Sequence, residues 1–224
     1  MSARRTRTKR PPTPREAPRI RDVPPPRRNE SAAGGVIQRV FAWPYRAILA
    51  FILWTGVRPW QLTLLSLAFT IVAGVLIVAG EWLLAGLAVF VASLADVFDG
   101  SVARHRGEAK RSGAFMDSVL DRVSDMVLFS CLFWALAADG EPVLASLSLV
   151  TLVVSLSVSH VRAEAEAVGV TLTEGLFQRL ERMLAMMVGL LVPGAMEPVL
   201  WLLAILGGVT VAQRAFSALT GARW

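Results

Sequence analysis

The sequence predicts an all-α integral membrane protein, with six transmembrane helices preceded by an interfacial amphipathic helix and both termini cytoplasmic. Two observations carry that expectation. Hydrophobic residues make up 54% of the 224-residue chain and charged residues only 18%, with a mean hydropathy of +0.55; soluble domains carry about 25% charged residues. The apolar residues also fall into blocks near the roughly twenty residues needed to cross a bilayer. A backbone in lipid must satisfy its own hydrogen bonds, which favours helices for these blocks.

The elements follow in chain order. Residues 1–33 hold ten of the 23 Lys and Arg and seven of the twelve Pro, with three acids, Glu16, Asp22 and Glu30. The remainder has 13 basic and 14 acidic residues, so the basic character belongs to the tail. Such composition predicts a disordered segment, and without an apolar stretch it reads as neither a secretory signal nor a first span. Its charge favours anionic lipid headgroups. With no aromatic interleaving and no recognisable module, nucleic acid is not an expected partner. Residues 34–57 are apolar but carry Arg39, Pro44 and Arg46, as suits a juxtamembrane amphipathic helix lying in the headgroup plane.

One membrane domain is expected over 58–220. Its six apolar blocks are 61–80, 82–98, a third from about 112 to 138, 142–161, 183–193 with its upstream turns, and 197–213. Basic residues collect in the tail, in 104–111, in 162–182 and at Arg214 and Arg223, whereas the turns near Glu81, Asp139 to Glu141 and Glu197 have none. The positive-inside rule then puts both termini in the cytoplasm, which requires an even number of spans. Trp82 and Trp201 are expected at the membrane interfaces, Trp54 and Trp134 in packing. Cys131, in apolar sequence, reads as an inert small hydrophobe.

Four carboxylates carry the chemistry. The segment Asp96-Val-Phe-Asp99-Gly100-Ser-Val-Ala103-Arg104 is followed, eight residues on, by Gly113-Ala-Phe-Met-Asp117-Ser-Val-Leu-Asp121. Asp96 and Asp99 are three apart and Asp117 and Asp121 four apart, so each pair shares a helix face. Ionised groups at membrane depth are costly and are seldom there without a function. If the two faces meet, the cluster repels itself unless divalent cations neutralise it, and oxygen ligands suit Mg²⁺ or Mn²⁺. This reads as a metal-dependent site for phosphoryl-group chemistry at the membrane surface. Asp125 continues the Asp117/Asp121 face by one turn, and Arg122 and Asp125 are candidates either to support it or to pair structurally.

The pattern Asp-x2-Asp-Gly-x2-Ala-Arg-x8-Gly-x3-Asp-x3-Asp resembles the signature of the CDP-alcohol phosphotransferases, integral membrane enzymes of phospholipid synthesis. The resemblance implies transfer of a phosphatidyl group from CDP-diacylglycerol to an alcohol, with release of CMP. It implies two divalent ions, Mg²⁺ or Mn²⁺, on Asp96, Asp99, Asp117 and Asp121, with Asp121 also the general base. Gly100, Gly113 and the small Ala103 would allow a nucleotide or a neighbouring helix to approach closely, and Arg104 would pair with the CDP phosphates. Upstream, Gly56-Val-Arg58-Pro59-Trp60-Gln61-Leu-Thr63 resembles the family's Gly-x-x-Pro-x-x-x-Thr element, which adds Pro59 and Thr63 to the CDP-lipid site. Members commonly form homodimers, and a homodimer in the cell membrane with a cytoplasm-facing site is the corresponding expectation.

The acceptor is expected to be read between Ser159 and Arg182. Ser159-His160-Val-Arg162-Ala-Glu164-Ala-Glu166 and Arg179-Leu-Glu181-Arg182 resemble the region of the actinobacterial-type phosphatidylinositol-phosphate synthases, as does Gln213-Arg214. That implies inositol 1-phosphate as acceptor, its phosphate held by Arg162, Arg179, Arg182 and Arg214, since guanidinium forks suit phosphate. Two positions depart: His160 stands where the subfamily has Tyr, and Glu164 where it has a second basic residue. Glu164 is expected to turn outward and pair with a neighbouring Arg. Glycerol 3-phosphate, as in phosphatidylglycerophosphate synthesis, is the alternative acceptor. A cation transporter or channel would also explain intramembrane acids, but it predicts inverted repeats and leaves Gly100, Ala103 and Arg104 without a role.

Overall fold

The computed structural model describes residues 32–108, 110–170 and 179–221, with side chains from Trp43 onward. The predicted disordered tail, up to residue 31, lies outside the described residues, as do 171–178 and 222–224. Among the described residues the chain forms seven α-helices and no strand. They are α1 (Ala32–Thr55), α2 (Pro59–Val78), α3 (Trp82–Arg106), α4 (Arg111–Ala138), α5 (Pro142–Ala167), α6 (Arg179–Leu191) and α7 (Met196–Gly221).

Local chemistry sets the boundaries. Pro59 and Pro142 open α2 and α5, where a missing N–H costs nothing and the fixed φ is already helical. α3 stops at Gly107, whose φ of +67° is a left-handed conformation that glycine adopts without strain. There Gly107 N–H donates to Arg104 O at 3.3 Å and Glu108 N–H to Ala103 O at 2.9 Å, a Schellman end. α3 runs several residues past the predicted apolar block. It therefore carries Asp96, Asp99, Gly100, Ala103 and Arg104 on one rod. α5 likewise continues through His160, Arg162 and Glu166.

Among the described residues, four helices are long and apolar enough to cross a membrane: α2, α3, α5 and α7. Six spans were the expectation. The two not selected are α4, which holds Arg111, Asp117, Asp121, Arg122 and Asp125, and α6, only 13 residues long. Along the apolar helices large side chains such as Val75, Leu83, Val153 and Ile205 face outward, which suits helices with lipid around them. Trp82 packs against the core. Trp54 and Trp134 do not pack inside as expected; both are exposed, at 57% and 66%.

The chain divides into two compact units. The first comprises the described residues of Met1–Leu62 with Val97–Lys110, and the second Thr63–Asp96 with the described residues of Arg111–Trp224. The second unit holds an apolar core built from Ala73, Ile77, Val89, Leu128, Phe129, Leu132, Met186, Leu200 and Leu203. Within it α4 packs on α5, and α7 on both α5 and α6. The buried face of α4 (Ser124, Asp125, Leu128, Phe129, Leu132, Ala135, Leu136) repeats at helical spacing. Small residues allow close approach. A Cβ on Gly74 would meet Cys131 Sγ at 2.8 Å, and one on Gly207 would meet Val154 Cγ1 at 2.5 Å.

Candidate active site

The aspartates are placed by α3 and α4. Asp96 and Asp117 present carboxylate oxygens within 4.8 Å of each other. Asp99 follows Asp96 by one turn of α3 and is 6% exposed. Asp121 follows Asp117 by one turn of α4. A cation also reaches this group from within the protein. Arg179, the first residue of α6, has Nη2 3.4 Å from Asp96 Oδ1 and Nη1 paired with Asp121 Oδ1. The sequence reading placed Arg179 with the acceptor and did not pair it with the aspartates. The helix pattern gives no signal for this pairing, because Arg179 lies 58 residues beyond Asp121.

The donor set fits a divalent cation. Asp96 and Asp117 converge and offer hard oxygen ligands, the type that Mg²⁺ and Mn²⁺ prefer, and Asp121 adds a third carboxylate on the far side of Arg179. Their three carboxylates outnumber the single Arg179 guanidinium, so room remains for further positive charge.

Behind this group lies a buried ionic cluster. Asp125 Oδ2 accepts from Ser155 Oγ at 2.5 Å and from Arg182 Nη2 at 2.8 Å. The three residues are 3%, 1% and 6% exposed. Asp125 therefore ties α4 to both α5 and α6. Ser155 escaped the sequence reading altogether, and Arg182 is engaged by a carboxylate where an open acceptor pocket was expected. Arg122 braces the same region, donating from Nη1 to Ser118 O at 2.8 Å and from Nη2 to Ser159 O at 3.3 Å.

The other arginines of the expected acceptor site are carried by α5 and α7. Arg214 on α7 is buried and donates from Nη1 to Val158 O at 3.0 Å. Arg162 is exposed on α5 and pairs with Glu166 at 2.9 Å. Glu164 does turn outward, but its neighbour at 3.9 Å is His160 Nδ1, not an arginine.

Of the residues expected to meet the nucleotide, Pro59 opens α2 and Thr63 follows it four residues on. Gly113 lies in the first turn of α4, where an added Cβ would meet nothing within 4 Å, so no neighbouring helix accounts for it among the described residues. Gly100 differs, since a Cβ there would stand 3.1 Å from Arg104 Nη1. Ala103 is half-buried and Arg104 exposed at the end of α3. Arg104 donates from Nη2 to Ser101 Oγ at 3.0 Å.

Comparison with known proteins agrees with this chemistry. Residues 57–212 match the family model for CDP-alcohol phosphatidyltransferases. A phosphatidylinositol phosphate synthase of Corynebacterium glutamicum is 39% identical over 166 residues, covering 70% of this chain and 76% of that protein. One from Mycobacteroides abscessus is 32% identical over 190 residues, covering 81% and 86%. The crystal structure of the Mycobacterium tuberculosis phosphatidylinositol phosphate synthase with CDP-DAG bound superposes with a TM-score of 0.70 at 30% identity, covering 78% of this chain and 92% of that one. The same M. tuberculosis protein has been solved in complex with manganese and citrate. The fold, the paired aspartates and these matches agree: the chain belongs to the CDP-alcohol phosphatidyltransferase family and is an enzyme of that class.

Proposed function

We propose that this enzyme transfers the phosphatidyl group of CDP-diacylglycerol to inositol 1-phosphate, giving phosphatidylinositol phosphate and CMP. The observation that carries the reading is the approach of Asp96 to Asp117 within 4.8 Å, with Arg179 reaching Asp96 and Asp121. It puts a carboxylate group suited to divalent cations beside a guanidinium suited to an acceptor phosphate. Three identified relatives at 32–39% identity are named for the same product class.

In this reading Asp96, Asp99, Asp117 and Asp121 hold two Mg²⁺ or Mn²⁺ ions, which when bound neutralise charge on the pyrophosphate and on departing CMP. Arg104 pairs with the CDP phosphates, and Pro59, Thr63, Gly100, Ala103 and Gly113 shape the surface against which the nucleotide lies. The acceptor hydroxyl oxygen attacks the phosphorus that carries diacylglycerol. The bond from that phosphorus to CMP breaks, and Asp121 takes the hydroxyl proton on a carboxylate oxygen. Arg179 directs the acceptor's phosphate, with Arg162 beside the same opening. Arg182 and Arg214, both buried, contribute charge to its inner wall. The membrane domain spans 58–220 with six transmembrane helices behind a juxtamembrane helix at 34–57. Both termini and the site face the cytoplasm, and the chains pair as homodimers.

The test is CMP release from CDP-diacylglycerol by purified enzyme with Mg²⁺ or Mn²⁺, offering one acceptor at a time. Release with inositol 1-phosphate and not with glycerol 3-phosphate is expected. The reverse preference would replace the acceptor and leave the family assignment standing. That second reading draws on Glu164, an acid where the subfamily carries a base.

A further inference from the structure

We propose that Tyr45 is a positioning residue for the CDP-lipid site: through Ser101 it fixes the guanidinium of Arg104. This rests on the reading that Arg104 meets the CDP phosphates, and adds a residue of the juxtamembrane helix to that site. All the contacts lie within the first compact unit. Tyr45 OH donates to Ser101 Oγ at 2.6 Å, and Arg104 Nη2 donates to the same oxygen at 3.0 Å. Ser101 Oγ in turn donates to Val97 O at 3.2 Å. A serine hydroxyl has one proton and two lone pairs, so the three bonds use its full capacity. The tyrosine ring is itself held, stacked on Phe98 with centroids 5.1 Å apart.

Gly100 completes the arrangement. A Cβ at that position would stand 3.1 Å from Arg104 Nη1, closer than the guanidinium tolerates without moving. The glycine of the motif thus lets its own arginine fold back along α3, and Ser101 catches it. Arg104 is exposed, so a long side chain that would otherwise sample many rotamers is held in one region while remaining open to a ligand. Ordering it in advance removes part of the entropic cost of binding a phosphate. Tyr45 is the sole tyrosine of the chain, and without its hydroxyl Ser101 loses one of its two donors.

Steady-state kinetics with CDP-diacylglycerol as the varied substrate test this. Tyr45→Phe keeps the ring on Phe98 and removes only the donor. It should raise KM for CDP-diacylglycerol about three- to tenfold, the range for one lost hydrogen bond, with kcat and the acceptor's KM within twofold. Ser101→Ala should do the same, and the double variant should be no worse than Ser101→Ala alone. In an Arg104→Ala background Tyr45→Phe should add nothing. If Arg104→Ala raises the lipid KM but Tyr45→Phe does not, or if the Tyr45 and Ser101 effects multiply independently, the coupling is wrong and the role of Arg104 stands. If Arg104→Ala leaves the lipid KM unchanged, both readings fall.

Discussion

Arg182 donates to Asp125 across 2.8 Å, with both side chains less than a tenth exposed. This pair fastens α6 to α4 three residues beyond Arg179 and four beyond Asp121. It therefore sets the register at which Arg179 reaches Asp121. Removing one partner of a buried pair leaves an uncompensated charge, at a cost of about 3–5 kcal/mol. Arg182→Met should lower the thermal unfolding midpoint in detergent sharply, and adding Asp125→Asn should recover most of the loss. Unchanged melting of the single variant would show that the pair does not hold these helices.

Asp121→Asn preserves shape and removes the proton acceptor. Turnover should fall by about 10²–10⁴-fold, the usual share of a general base, while CDP-diacylglycerol binding measured directly is largely retained. Normal turnover would remove Asp121 as the base.

Arg179→Ala should raise the acceptor's KM well above its effect on the lipid's KM. Proportional increases in both would argue that Arg179 serves only the carboxylates at Asp96 and Asp121 and not an acceptor phosphate.

Much of this site was legible in the residues because the chemistry recurs at helical spacing. Asp96 with Asp99 and Asp117 with Asp121 announce two faces, and apolar blocks announce the helices that carry them. What escaped was long-range pairing. Nothing in the sequence joins Asp125 to Ser155, 30 residues away, or to Arg182, 57 residues away. A carboxylate four residues past Asp121 in an apolar helix did signal the need for a partner, since buried charges are paired. Tyr45 was missed for the same reason: its hydroxyl meets Ser101 at a separation of 56. Helix ends were also imprecise. Hydropathy falls where α3 becomes polar, yet the helix continues to Gly107 because backbone bonding, not burial, ends it.

Packing between α2 and α4 depends on Gly74. A Cβ there falls 2.8 Å from Cys131 Sγ and 3.3 Å from Val127 Cγ1. Gly74→Val should therefore destabilise by about 1–3 kcal/mol through overpacking, read as a lower unfolding midpoint in detergent. Partial recovery in a Gly74→Val, Cys131→Ala double variant would locate the clash.

The most direct test of the metal centre is Mn²⁺ binding by the purified protein, followed by electron paramagnetic resonance. Wild type should bind Mn²⁺ in competition with Mg²⁺, and Asp96→Asn and Asp117→Asn should each weaken it at least tenfold. Undiminished Mn²⁺ affinity in both folded variants would contradict the assignment of these carboxylates as the catalytic metal ligands.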